Sequence, residues 1–122
     1  MKVIAFNGSP RRNGNTAILI NTMFEIFQNE GIETEFVQLG NKPVHGCTAC
    51  GKCREIQNGK CHIKNDHLNF CIEKMVEADA IIIGSPVYFA DVTPEVKALI
   101  DVAGSIDPLS SKSKVVEPRI LK

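Results

Sequence analysis

The sequence contains no tryptophan and a single tyrosine, Tyr88. Surfaces that stack nucleobases draw on several aromatic side chains, so a base-stacking platform is disfavoured. Neither sign of charge is in excess: 14 Lys and Arg balance 14 Asp and Glu, for a formal net charge of zero. A polyanion such as nucleic acid, or an anionic membrane surface, finds no basic field here. No apolar run approaches the roughly 20 residues of a membrane-spanning helix. The chain opens directly on a strand-like segment, which reads as a start without an export signal. Five cysteines in that context point to a reducing, cytoplasmic setting, where clustered thiols more often serve metal or redox chemistry than disulfides. No Ser, His and Asp set suggests a nucleophilic or acid–base centre.

The chain has 122 residues, 43% of them apolar, enough for one small domain. Residues 3–6 form a short apolar run that reads as a buried strand. Residues 16–30 have helical periodicity, with Ile20, Met23, Phe24 and Phe27 on one face and Gly31 as the stop. Residues 33–39 alternate, Glu35 against Phe36 and Gln38 against Leu39, as in a half-exposed strand. Residues 40–64 show no period and are long for a plain loop, which marks them as functional. Asn65 or Asp66 then caps a helix with Leu68, Cys71, Ile72 and Met75 inward. Residues 80–84 are continuously apolar and read as a parallel strand buried on both faces. Thr93 caps a last helix, with Pro94 at its first position and Val96, Leu99 and Ile100 inward. The fold class is α/β: a doubly wound parallel sheet, incomplete, with three strands evident in the order 2-1-3.

The stretch between the first strand and first helix carries Gly8, Gly14, Ser9, Asn15, Thr16, Arg11 and Arg12. A helix N-terminus presents unpaired N–H groups and a partial positive charge, which suits a phosphate. Ser9, Asn15 and Thr16 add hydrogen-bond donors, and Arg11 or Arg12 adds charge. The stretch is neither a G-x-G-x-x-G fingerprint nor a Walker loop, since Ser9-Pro10 follows Gly8 and no G-K-[ST] closes it. Run together, Gly8-Ser9-Pro10-Arg11-Arg12-Asn13-Gly14-Asn15-Thr16 resembles the FMN-phosphate loop, G-S-P-R-x-x-G-N-T, of the flavodoxin-like NADPH-dependent FMN reductase family. The resemblance extends to Gly84-Ser85-Pro86-Val87-Tyr88, the segment that approaches the isoalloxazine in these flavoproteins. It implies FMN as cofactor, with Ser9, Arg11, Asn15 and Thr16 on the phosphate, Arg12 pointing away, and Pro86, Val87, Tyr88 and Phe89 lining the ring.

Cys47, Cys50, Cys53 and Cys61 are spaced C-x2-C-x2-C-x7-C. Steps of three let one glycine-punctuated loop wrap one centre. Zinc commonly uses two separated pairs, so this spacing favours an iron–sulfur cluster over zinc. It resembles the compact motif of the iron–sulfur flavoproteins, implying a 4Fe-4S cluster. The other reading is a reduced, metal-free thiol loop; both stand at this point. His45 and His62 flank the motif as surface residues or alternative ligands, His67 has no evident role, and Cys71 reads as core.

The resemblance covers residues 1–104, an FMN-binding domain with a cysteine-rich loop at 46–62. Residues 105–122, with Pro108 and Pro118, read as an irregular tail. Relatives continue with two more strands and helices, so the chain reads as a C-terminally short relative. Its third strand would be an unprotected apolar edge, and a homo-oligomer is expected. The function implied is an FMN-dependent oxidoreductase or electron-transfer protein. It would take electrons from NAD(P)H or a redox protein, with no nucleic-acid or membrane partner. The alternative is a non-catalytic metal- or nucleotide-binding fragment that acts by association.

Overall fold

Five consecutive buried residues, Val3 to Asn7, form the axis of the computed structural model, which describes residues 1–106. They belong to β1 (Lys2–Asn7), which pairs in parallel with β2 (Glu33–Gln38) on one side and β3 (Ala80–Gly84) on the other. The sheet order is β2-β1-β3, as the sequence implies. α1 (Asn15–Asn29) covers one face, where Val3, Ala5, Ile20 and Phe24 form a core with Phe27, Phe36 and Ile82. α3 (Leu68–Glu77) and α4 (Pro94–Ile106) cover the other face. There Ile4, Phe6, Val37, Leu39, Leu68, Cys71, Ile72, Val96 and Leu99 are buried together. Burying one such side chain contributes about 1.5–3 kcal/mol.

Several sequence expectations shift. Met23 turns outward and Ala17 takes its place, because the row 17, 20, 24, 27 follows the sheet more closely than 20, 23, 24, 27. Ile100 is likewise exposed, while Val102 and Ala103 point in. The aperiodic loop contains a short helix, α2 (Lys52–Ile56). β3 is half-buried instead of buried on both faces, with Ile83 39% exposed, because among the described residues no strand pairs beyond it. α4 runs past Gly104 to Ile106. The expected tail therefore begins inside a helix, and its remainder, 107–122, lies outside the described residues.

At the other end of the strands, Lys2 and Lys74 bridge Glu35 and Glu77 at 3.0–3.5 Å. Hydrogen bonds donated to Glu77 and Glu35 raise the Lys2 pKa, and one donated to Glu35 does the same for Lys74. Burial acts to raise Glu35, but the bonds from Lys74 and Lys2 outweigh it and hold the carboxyl low. Lys2 likewise holds Glu77 low. Among the described residues no helix is long and apolar enough to cross a membrane.

Candidate functional site

The carboxyl ends of β1 and β3 open on one crevice, at the point where the chain winds in opposite directions from β1. Two loops meet there. Residues 8–14 lead into α1, and residues 85–93 lead into α4. They are joined directly: Gly8 N donates to Gly84 O at 2.7 Å. A Cβ on Gly8 would lie 2.2 Å from Val96 Cγ2, so only glycine lets this backbone press against α4. Thr93, fully buried, donates from Oγ1 to Gly8 O at 2.8 Å, while its own N–H donates to Ser85 Oγ at 3.0 Å. Its hydroxyl therefore joins the two loops at the N-terminus of α4, where Thr93 O accepts from Lys97 N at 3.1 Å.

α1 begins at Asn15 after Gly14, with no capping side-chain bond, so its first-turn N–H groups face the crevice without a side-chain partner. Ser9 is buried, and its Oγ accepts from Arg11 N at 3.2 Å. Arg11 is exposed at the rim, as is Asn15. Arg12 turns toward β2, its guanidinium 5.9 Å from the Phe36 ring. Across the crevice, Tyr88 and Asp91 exchange backbone bonds of 2.8 and 3.1 Å around Phe89 and Ala90. Both central residues have positive φ, 44° and 65°. Left-handed backbone costs a non-glycine residue about 1–2 kcal/mol. Strain of this kind gathers at ligand contacts. The turn presents Phe89 fully exposed, beside Val87 and Tyr88.

The cysteines lie along the α3/α4 side. Cys47, Cys50, Cys53 and Cys61 line one cavity with Val102, Ser105 and Ile106 of α4. Cys47 N donates to Asp101 Oδ2 at 3.1 Å, and Cys53 Sγ faces Ser105 O at 3.8 Å. Asn69 of α3 holds Cys61 by its N–H and C=O at 2.8 and 3.0 Å. At the ends of the loop His45 Nδ1 pairs with the Asp66 carboxylate, whose other oxygen accepts from Leu68 N, and His67 N donates to Pro43 O. His45 is thus a half-buried clip rather than a surface residue, and His67 stacks on Phe70. Among the described residues no three His, Cys, Asp or Glu side chains gather at the spacing of a single metal ion. Cys71 stands apart in the core, its thiol pushed up to about 12, chiefly by burial.

Residues 1–116 match the model of the NADPH-dependent FMN reductase family. The chain belongs to that family. It is 46% identical over 101 residues to an iron–sulfur flavoprotein of Methanocaldococcus jannaschii, covering 83% of this chain and 51% of that one. An iron–sulfur flavoprotein of Archaeoglobus fulgidus is 35% identical over 101 residues, 83% of this chain and 44% of its own. The chain thus spans about half the length of the curated relatives it matches. RosB, solved with a bound 8-demethyl-8-formylriboflavin-5'-phosphate intermediate, superposes with a TM-score of 0.69 at 23% identity over 88% of this chain and 43% of RosB. That likeness supports the α/β flavodoxin-like fold.

Within this FMN reductase fold, the residues expected at the phosphate and ring fall on the two loops of one crevice, and the four expected thiols fall on one separate cavity. Sequence reading passed over Asn7 and Gln38, which end β1 and β2 side by side in register. It also missed the tie made by Thr93 and the clips from Asn69 and Asp101. Two amides at the carboxyl ends of neighbouring parallel strands were the one available signal.

Proposed function

We propose that the chain is an FMN-dependent redox flavoprotein that takes electrons from NAD(P)H or a redox protein and delivers them to an acceptor. The observation that carries this reading is the hydrogen-bonded pair of loops at the switch point. One offers an uncapped helix N-terminus beside Arg11, the other an exposed aromatic turn. FMN would lie with its phosphate among Ser9, Arg11, Asn15 and Thr16 and its ring along Pro86, Val87, Tyr88 and Phe89. Once bound, the flavin supplies the redox chemistry. The chain's own part is placement: α1 and Arg11 offset the phosphate charge, and the ring loop shields one side from water.

Cys47, Cys50, Cys53 and Cys61 are proposed as ligands of a 4Fe-4S cluster. Four thiols around one cavity, three of them at steps of three along one loop, suit an iron–sulfur centre better than the two separated pairs common for zinc. The names of the relatives favour the same assignment. Five unpaired cysteines fit a reducing cytoplasm. The β3 edge, which no strand among the described residues covers, and the exposed Leu19, Ile26 and Ile83 favour a homo-oligomer.

The test of the phosphate site is titration of the full chain with FMN and with riboflavin, followed by flavin fluorescence. A charge-assisted bond is worth roughly 1.5–3 kcal/mol, so Arg11→Ala should weaken FMN about 10- to 100-fold. Riboflavin should change little. Equal losses for both would show that this loop does not hold the phosphate.

A further inference from the structure

Four carbonyl oxygens at the start of the loop that faces the crevice are engaged by donors within the protein. Asn7 O accepts from Leu39 N and Gly40 N, both at 2.9 Å. Gly8 O accepts from Thr93 Oγ1. Ser9 O accepts from Gln38 Nε2 at 2.9 Å, and Arg11 O from Asn7 Nδ2 at 3.2 Å. Two amide side chains hold two of these four carbonyls. Asn7 is fully buried; its Oδ1 accepts from Ser9 N at 3.2 Å, and its Nδ2 also donates to Gln38 Oε1 at 2.8 Å. Gln38 closes the circuit, since the same Nε2 donates to Gly40 O at 2.9 Å. The fit is close: a Cβ on Gly40 would sit 2.0 Å from Ser9 O.

A carbonyl oxygen turned into an anion site repels the anion, whereas an N–H attracts it. The Asn7 side chain holds the turn at residues 7–11 by two bonds and is itself tied to Gln38 by a third. A plain surface Gln at a strand end has no such need. We infer that Gln38, acting with Asn7, is a positioning residue of the phosphate loop. It draws the Ser9 and Gly40 carbonyls away from the crevice, so that an anionic oxygen meets N–H donors first. This rests on the reading of the loop as the FMN-phosphate site. Gln38 touches no reacting group; it acts through the backbone of residues 7–11.

The experiment compares Gln38→Leu and Gln38→Met with the wild-type full chain. Both variants remove the amide, and Met keeps the length of the side chain, so that one reports if the other fails to fold. FMN and riboflavin are titrated separately, and amide exchange of Ser9 and Gly40 is followed without ligand. FMN affinity should fall about 10-fold or more, the loss of one to two hydrogen-bond equivalents, with riboflavin nearly unchanged and Ser9 exchanging faster. Unchanged FMN affinity, or equal losses for FMN and riboflavin, overturns the inference. A wild-type chain that binds neither flavin overturns the proposed function instead. The loop role is then decided by exchange alone, and unaltered Ser9 protection in the variants refutes it.

Discussion

Replacing Thr93 tests whether the crevice is held together as described. Position 93 precedes α4 directly, where a threonine normally caps the helix, yet its hydroxyl donates to Gly8 O at 2.8 Å and the residue is fully buried. Thr93→Val keeps the shape and removes the donor. Gly8 O would then be buried without its partner, at a cost of about 1–3 kcal/mol. In a chain of 122 residues each kcal/mol lowers Tm by about 4 °C, so a fall of about 8 °C is expected for a loss of about 2 kcal/mol. Thr93→Ser keeps the bond and loses one methyl, worth about 0.8 kcal/mol. The decisive variant is Thr93→Asp. Aspartate is among the best helix caps and would be neutral or stabilising if the side chain capped α4. Here its carboxylate would face the Gly8 carbonyl in a buried site, so it should be the most damaging of the three. Thermal unfolding followed by circular dichroism gives the ranking Ser, Val, Asp from mildest to worst. An aspartate variant as stable as wild type would refute the tie between Thr93 and Gly8.

Anaerobic reconstitution followed by iron and sulfide analysis should find a cluster that is lost in Cys50→Ser. A thiol reagent on the apo chain should modify four cysteines readily and Cys71 only on unfolding, because that thiol is buried with its pKa pushed up to about 12. The Lys2, Glu35, Lys74 and Glu77 network gives a pH dependence of known sign. Both carboxyls are held below 4.5, so their stabilisation is complete above that pH and fades as the pH falls through their folded values. Both lysines are raised above 10.5, so theirs is complete below that value and fades above their folded pKa. Glu35→Gln should flatten the acid limb of stability against pH. Sedimentation at high concentration should show a dimer or larger species, and Ile83→Lys on β3 should shift it toward monomer.

The parallel order of strands was legible because each element carried its own local signal. Alternation marked β2, an unbroken apolar run marked β3, and ligand-type loops followed β1 and β3. The helix faces were less legible at their margins. Met23 and Ile100 fit the 3.6-residue period nearly as well as Ala17 and Val102, and only the sheet beneath decides between them. Thr93 was read only as a cap because a hydroxyl before a proline-started helix has a common local use. Its actual partner, Gly8, is set by tertiary packing. Gln38 was read as the exposed side of an alternating strand, yet the strand's end lies against Asn7 in register. Polar residues that act on a distant backbone leave no periodic trace.

The central place of β1 also governs the order in which the chain can assemble. Ala5 has Phe36 as its neighbour on one side and Ile82 on the other, and the cysteine loop lies between those partners in sequence. Closing the shorter β1–α1–β2 circuit costs less chain entropy than bringing β3 across the intervening loop. The Leu39 amide, bonded to Asn7 O, should therefore gain protection before the Gly8 amide, bonded to Gly84 O, in a pulse-labelled refolding experiment. Because closure entropy grows only with the logarithm of loop length, a longer or shorter cysteine loop should shift that delay slightly. The crevice is then a late product of folding, complete only when β3 docks.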